Sequence, residues 1–197
     1  MRSFSTPDGV SITVSLPVGD LLVLASDRSE TVVSTTGIDD PSRVRISHQG
    51  DRLAIDGPPP RETWASWLGF GESIRVRIGL PEGSRVNAVV LEGDVRGVGR
   101  LGACTFRTDG GEIALDETGP LTVTTDSGDV SVRRVVGSVE VTSDSGVIRI
   151  RRIDGSADIT NEYGETEIGE VTGDLRLRGR DADFVAAHAH RDVDGHT

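Results

Sequence analysis

From Leu121 onward apolar side chains occupy alternate positions, and the alternation restarts every eighteen residues. Superposing residues 121–138, 139–156 and 157–174 puts Leu121, Val139, Ala157 and Leu175 in one column and Val123, Val141, Ile159 and Leu177 in the next. Further along each unit come Val130, Ile148, Thr166 and Phe184, then Val132, Ile150, Ile168 and Ala186, and last Val135, Ile153 and Val171. The intervening positions are polar, as in Thr122, Glu140, Asp158 and Arg176, or Ser131, Arg149 and Glu167. A period of two is that of a strand with one buried face; an amphipathic helix needs apolar residues at i, i+3, i+4 and i+7. Glycine marks the turns. Gly119, Gly137, Gly155 and Gly173 lie eighteen apart, and Gly93, Gly111, Gly128, Gly146 and Gly164 interleave with them. One such unit cannot bury its apolar face alone, whereas units stacked about 4.8 Å apart share a core and pair every strand above and below. The pattern therefore predicts an all-β fold, a β-solenoid or closely related stacked β-strand repeat over residues 86–190, with a polar tail at 191–197. The unit from Cys104 is one residue short and places Cys104 and Phe106 in inward columns. The spacing of Gly137 and Gly155 predicts positive φ at these turns.

Residues 1–85 alternate without a fixed period. Strands are expected at Val10–Leu16, Leu21–Ala25, Thr31–Ser34, Val44–Ile46, Leu53–Ile55 and Ile74–Ile78, separated by turn signals such as Pro7-Asp8-Gly9 and Pro81-Glu82-Gly83. They make an irregular β head continuous with the repeats. One loop, 57–71, breaks the pattern: three prolines lead into Trp64, Trp67 and Phe70. Prolines exclude a central strand there. Its aromatics either plug the end of the β stack or form an exposed docking surface.

Only 4% of the 197 residues are aromatic, and Gly, Val and Thr are abundant, in keeping with strands and turns. A net charge of −11 repels phosphate backbones, and no basic cluster large enough to overcome it is present, which excludes general nucleic-acid binding. The lone Cys104 rules out an intrachain disulfide. Met1–Val14 has neither the basic nor the long apolar region of a secretory signal, and the richest apolar run, Leu16–Ala25, is broken by Gly19 and Asp20, so no transmembrane segment is expected and the chain reads as cytoplasmic.

Three groups of residues invite chemistry. Asp109, Asp126, Asp144 and Glu162 occupy equivalent turn slots, followed by Glu112, Asp129 and Glu165. Stacked carboxylates recruit cations or act as catalytic acids, while aspartate also suits tight turns by accepting nearby N–H groups. Arg133 and Arg134 lie in register with Arg151 and Arg152, a basic stripe able to receive a carboxylate-rich ligand or to alternate charge along a solvated ladder. His188, His190 and His196 lie beside Asp192 and Asp194; imidazoles two apart suit a metal, but a flexible terminus seldom preorganises one, and no metal is assigned. Cys104 in its inward slot reads as a small apolar filler. There is no nucleophile elbow, phosphate loop or dinucleotide fingerprint, and nothing calls for a cofactor.

Several stretches carry a family resemblance: Gly19-Asp20-Leu21 through Ala25-Ser26-Asp27-Arg28, Leu80-Pro81-Glu82-Gly83-Ser84-Arg85-Val86, Ser127-Gly128-Asp129-Val130, and Ile168-Gly169-Glu170-Val171-Thr172-Gly173-Asp174-Leu175. In these the chain resembles the bacterial putative-adhesin β-strand-repeat family of unknown function, also described as toast-rack-like, in its actinobacterial form. The resemblance spans nearly the whole chain and implies a structural repeat with no catalytic residues to carry over. It further implies an interaction or scaffold module, not an enzyme, with peripheral cell-envelope association and a protein or envelope component as partner. Two alternatives stand beside it: a β-helical carbohydrate-active or metal-dependent enzyme using the acidic turn row, and homo-association through an open C-terminal edge.

Overall fold

A computed structural model describes residues 1–37, 40, 43–59, 74–189 and 193–196. Its described residues form eighteen strands, hydrogen-bonded into one continuous system, and no α-helix. The strands stack as coils, each contributing one segment to either of two parallel ladders whose inner faces meet.

The regular coils follow chain order: β7 (Arg85–Glu92) with β8 (Val95–Arg100), β9 (Cys104–Thr108) with β10 (Ile113–Thr118), β11 (Leu121–Thr125) with β12 (Val130–Val136), and β13 (Val139–Ser145) with β14 (Ile148–Asp154). The single long β15 (Ala157–Val171) serves both ladders, and β16 (Leu175–Arg178) with β17 (Asp181–Ala189) and β18 (Val193–His196) follow. Upstream, β2 (Ser11–Ser26) also spans both ladders, pairing with β7 through Ser11–Val18 and with β8 through Leu21–Leu24. Its other side receives β5 (Arg52–Asp56) and β6 (Ile74–Pro81). The head is thus irregular in chain order: β5 and β6 stack outside the coil of residues 11–26, and β7 then lies on its inner side from Arg85. Beyond β6 lies β3 (Glu30–Thr36), antiparallel, and beyond that β1 (Arg2–Ser5); β4 (Arg45–Gln49) runs antiparallel to β5. These antiparallel strands cover an edge that would otherwise present free donors and acceptors.

The predicted columns are the observed register. One inward column runs Leu53, Ile12, Val86, Cys104, Leu121, Val139, Ala157, Leu175. On the opposite ladder a second runs Val76, Leu21, Val95, Ile113, Val130, Ile148, Thr166, Phe184. Except for the half-buried Phe184 these residues are buried. Volumes compensate along a column: Phe106, 1% exposed, neighbours Ala88 on one side and Val123 on the other. Where the chain turns between ladders, the buried row is polar instead: Thr108, Thr125, Ser143 and Asn161. They serve the turn backbone, as Thr125 Oγ1 accepts the Gly128 N–H at 2.8 Å and Asn161 Nδ2 donates to the Gly146 carbonyl at 3.2 Å.

The turn glycines need a different explanation from the predicted one. Gly137 has a φ of 130°, as expected, but Gly119, Gly155 and Gly173 lie outside the left-handed region. What these positions share is contact with the preceding coil. A β-carbon on Gly155 would meet the Gly137 oxygen at 2.2 Å, and one on Gly173 the Gly155 oxygen at 2.7 Å. Turn stacking at ladder spacing leaves no room for a side chain, and this sets the glycine period more than φ does.

Candidate functional site

The outer face of the second ladder carries three adjacent rows of side chains: alternation along β8, β10, β12, β14 and β15 supplies the first two, and a break in it leaves Arg134 and Arg152 outside as well, next to Arg133 and Arg151. The first row is Arg96, Ala114, Ser131, Arg149 and Glu167, paired strand to strand. Ala114 and Ser131 are small, and they sit between Arg96 on one side and Arg149 on the other. The dip is bordered by Asp116, Arg133, Arg151 and Gly169 from the next row, making a concavity of about 450 Å³.

Ion pairs inside the concavity are loose. Arg133 Nε lies 4.0 Å from Asp116 Oδ1, and Arg149 is divided between Glu165 at 3.6 Å and Glu167 at 3.5 Å. The side chains of Arg133 and Arg149 are more than half exposed. The third row differs. Arg134 donates twice to Asp154 Oδ2, at 2.8 and 2.5 Å, while Arg152 donates to Asp154 Oδ1 at 2.8 Å and to Glu170 Oε2 at 2.6 Å. Hydrogen bonds from Arg134 and then Arg152 hold the Asp154 carboxyl below its usual range, and the same bond to Asp154 raises Arg134. One arginine row is therefore neutralised internally, while its neighbours keep donors directed at solvent.

This divides the basic stripe predicted from sequence. Arg133 and Arg151 border the concavity together, whereas Arg134 and Arg152 are bound to carboxylates. The sequence reading missed Arg96 and Arg149. The available signal was side-chain size: Ala114 and Ser131 are the shortest members of an otherwise long-chained outward row. Trp64, Trp67 and Phe70 lie outside the described residues, as does His190, and nothing is described of the side chains of His188 and His196.

Within the acidic turn row the geometry gives Asp129 a structural part, which it shares with Asp20 and Asp94 in the corresponding slots of earlier coils. Asp20, Asp94 and Asp129 each accept a backbone N–H from the next coil, from Asp94 at 3.3 Å, Glu112 at 2.9 Å and Val147 at 2.8 Å. The aspartate after the glycine thus ties one turn to the following one. Among the described residues no group of three or more His, Cys, Asp or Glu is placed to hold a metal ion. Cys104 is 3% exposed, its thiol donates to the Gly102 carbonyl at 3.4 Å, and burial pushes its pKa up to about 12. No helix of the described residues is long and apolar enough to cross a membrane.

Two parallel ladders sharing one core, coil upon coil, define a stacked β-repeat protein whose outer faces are rows of regularly spaced side chains. The chain belongs to the Toastrack DUF4097 family, whose model matches residues 11–194. Among solved structures it is similar to a putative adhesin from Bacteroides fragilis, at 11% identity over 98% of this chain and 93% of that one, with a TM-score of 0.49. It is also similar to a putative adhesin from Parabacteroides distasonis, at 14% identity over 99% and 93% with a TM-score of 0.46. A third, a putative lipid binding protein from Parabacteroides distasonis, has 15% identity over 98% of this chain and 92% of that one, with a TM-score of 0.40. None of the curated proteins matches the chain in sequence.

Proposed function

We propose that this protein is a non-catalytic binding scaffold that associates peripherally with the cell envelope from the cytoplasmic side. The observation that carries the reading is the arginine-bordered concavity, set on a ladder whose strands are paired on both sides and whose rows therefore hold fixed spacing. A chain of net charge −11 that concentrates four guanidinium groups over two small residues has a local field opposite to its global one. Such a surface favours an anionic partner. Envelope placement rests on the family to which the chain belongs and on the resemblance carried by its Gly-Asp and Ser-Gly-Asp-Val segments.

The test is fractionation of a host cell carrying the tagged chain, combined with co-sedimentation of purified protein and washed envelopes. Envelope-bound protein released by high salt is expected, because exposed charge contacts weaken as the Debye length shrinks. Recovery of all the protein in the soluble fraction at low salt, with no sedimentation, overturns the envelope reading.

A further inference from the structure

We infer that the concavity over Ala114 and Ser131 binds the phosphate monoester group of a small ligand, with Arg96, Arg133, Arg149 and Arg151 as donors. This rests on the scaffold reading of the same face and narrows it to a ligand class.

Charge selects the group. Four guanidinium groups and two carboxylates, Asp116 and Glu167, line the concavity, and Glu165 beside it draws on Arg149 at 3.6 Å, so positive charge is in excess by one to two. A phosphate monoester close to neutral pH carries nearly two negative charges and three acceptor oxygens, so it can engage all four arginines once Arg149 turns from Glu165; a single carboxylate offers one charge and two oxygens. Guanidinium forks match phosphate oxygens bidentately, and the loose internal pairs, none closer than 3.5 Å for Arg133 or Arg149, give way at lower cost than the 2.5–2.8 Å bonds holding Arg134.

Shape limits the rest of the molecule. The backbone beneath Ala114 and Ser131 is committed to ladder pairing on both sides, with β8 and β12 for β10 and with β10 and β14 for β12. Recognition therefore falls to side chains. A concavity of about 450 Å³ lies within the range of small-molecule sites, roughly 300–1,000 Å³, and suits an organic group of about sugar size or smaller. Asp116 and Glu167 at the border repel a second anionic group next to the first, which disfavours polyanions.

The probe is sn-glycerol 3-phosphate, titrated into the full chain by calorimetry at low ionic strength, with backbone amide shifts recorded in parallel. One saturable site is expected, with shifts centred on Ala114 and Ser131. Affinity should fall at least tenfold in Arg133→Gln/Arg151→Gln and stay within twofold in Arg107→Gln/Arg176→Gln, which removes equal charge from outward positions on the other ladder. Phosphatidylcholine vesicles with and without phosphatidic acid separate the two sources of the group. Binding only to the phosphatidic acid vesicles, lost in the first double variant, assigns the monoester to a lipid headgroup; binding to glycerol phosphate assigns it to a free metabolite. Equal losses in both double variants, or wild-type shifts away from Ala114 and Ser131, overturn the inference, and the second readout needs no variant to fold. If envelopes sediment the protein but neither probe binds, the ligand assignment fails while the scaffold reading stands.

Discussion

Gly155 lies over Gly137 so closely that a β-carbon on the former would stand 2.2 Å from the carbonyl oxygen of the latter. A real β-carbon does not approach backbone at that distance, so Gly155→Ala must push two coils apart in the middle of the stack. A loss of about 1–3 kcal/mol is expected, the usual range for overpacking. Gly110→Ala provides the comparison, since its added carbon meets only the Ser127 hydroxyl at 3.6 Å. Thermal melts of the two variants check this, and equal melting temperatures would remove steric stacking as the reason for the glycine period.

Column assignments are tested by charge. Val132 and Ile150 face each other along the ladder and are 2% and 1% exposed, whereas Thr142 faces solvent. Val132→Asp and Ile150→Asp each place a carboxylate without a partner in a core where the replaced side chain contributes about 1.5–3 kcal/mol by burial alone. Both variants should lose the cooperative unfolding transition seen by circular dichroism, and Thr142→Asp should keep it.

The ladder register was legible because strand period and repeat period are both set by local sequence: Leu121, Val139, Ala157 and Leu175 need no distant information to fall in one column. The head was less legible for the opposite reason. The strand at Leu53–Ile55 and the strand at Leu21–Ala25 look alike in sequence, yet stacking order is fixed by long-range pairing, which puts β5 and β6 outside β2. Arg133 and Arg151 were visible as a stripe, but their separation from Arg134 and Arg152 depends on Asp154. That residue sits at the end of β14, where it accepts from Arg134 of the preceding coil and from Arg152 two residues back on its own strand.

Acid should weaken the stack through Asp154. Its folded pKa is lowered, chiefly by the hydrogen bond from Arg134 and next by that from Arg152, so its contribution is fully present above the unfolded carboxyl value of about 3.9 and is lost as pH falls through the folded value. Melting temperature followed from pH 7 to pH 2.5 should drop with a steeper acid limb in the wild type than in Asp154→Asn. Parallel limbs in the two proteins would show that the Arg134–Asp154 pair carries none of the acid dependence.

Cys104 offers a chemical readout of global opening. With its thiol buried and its pKa raised to about 12, little thiolate exists at pH 8 in the folded chain. Modification by a disulfide reagent at pH 8 should proceed at the unfolding rate and become fast in denaturant, where the ordinary thiol pKa returns. Stoichiometric modification of the native protein within seconds would contradict the inward placement of this residue.

Two buried threonines should respond in opposite ways to the same substitution. Thr125 Oγ1 accepts the Gly128 N–H at 2.8 Å, so Thr125→Val leaves a turn donor without a partner and should cost about 1–3 kcal/mol. Thr118 Oγ1 is equally buried, 1% exposed at the residue level, but has no hydrogen-bond partner among the described residues. Replacing it with valine swaps an unsatisfied hydroxyl for a methyl group of similar size, beside Val135 in the next coil. Thr118→Val should therefore be neutral or stabilising by about 1 kcal/mol. Urea titrations of both variants decide the matter: a midpoint lowered only in Thr125→Val supports the polar row as a turn-locking device. Equal lowering in both would mean that Thr118 also holds a bond through its hydroxyl, and the distinction drawn between these two turns would fall.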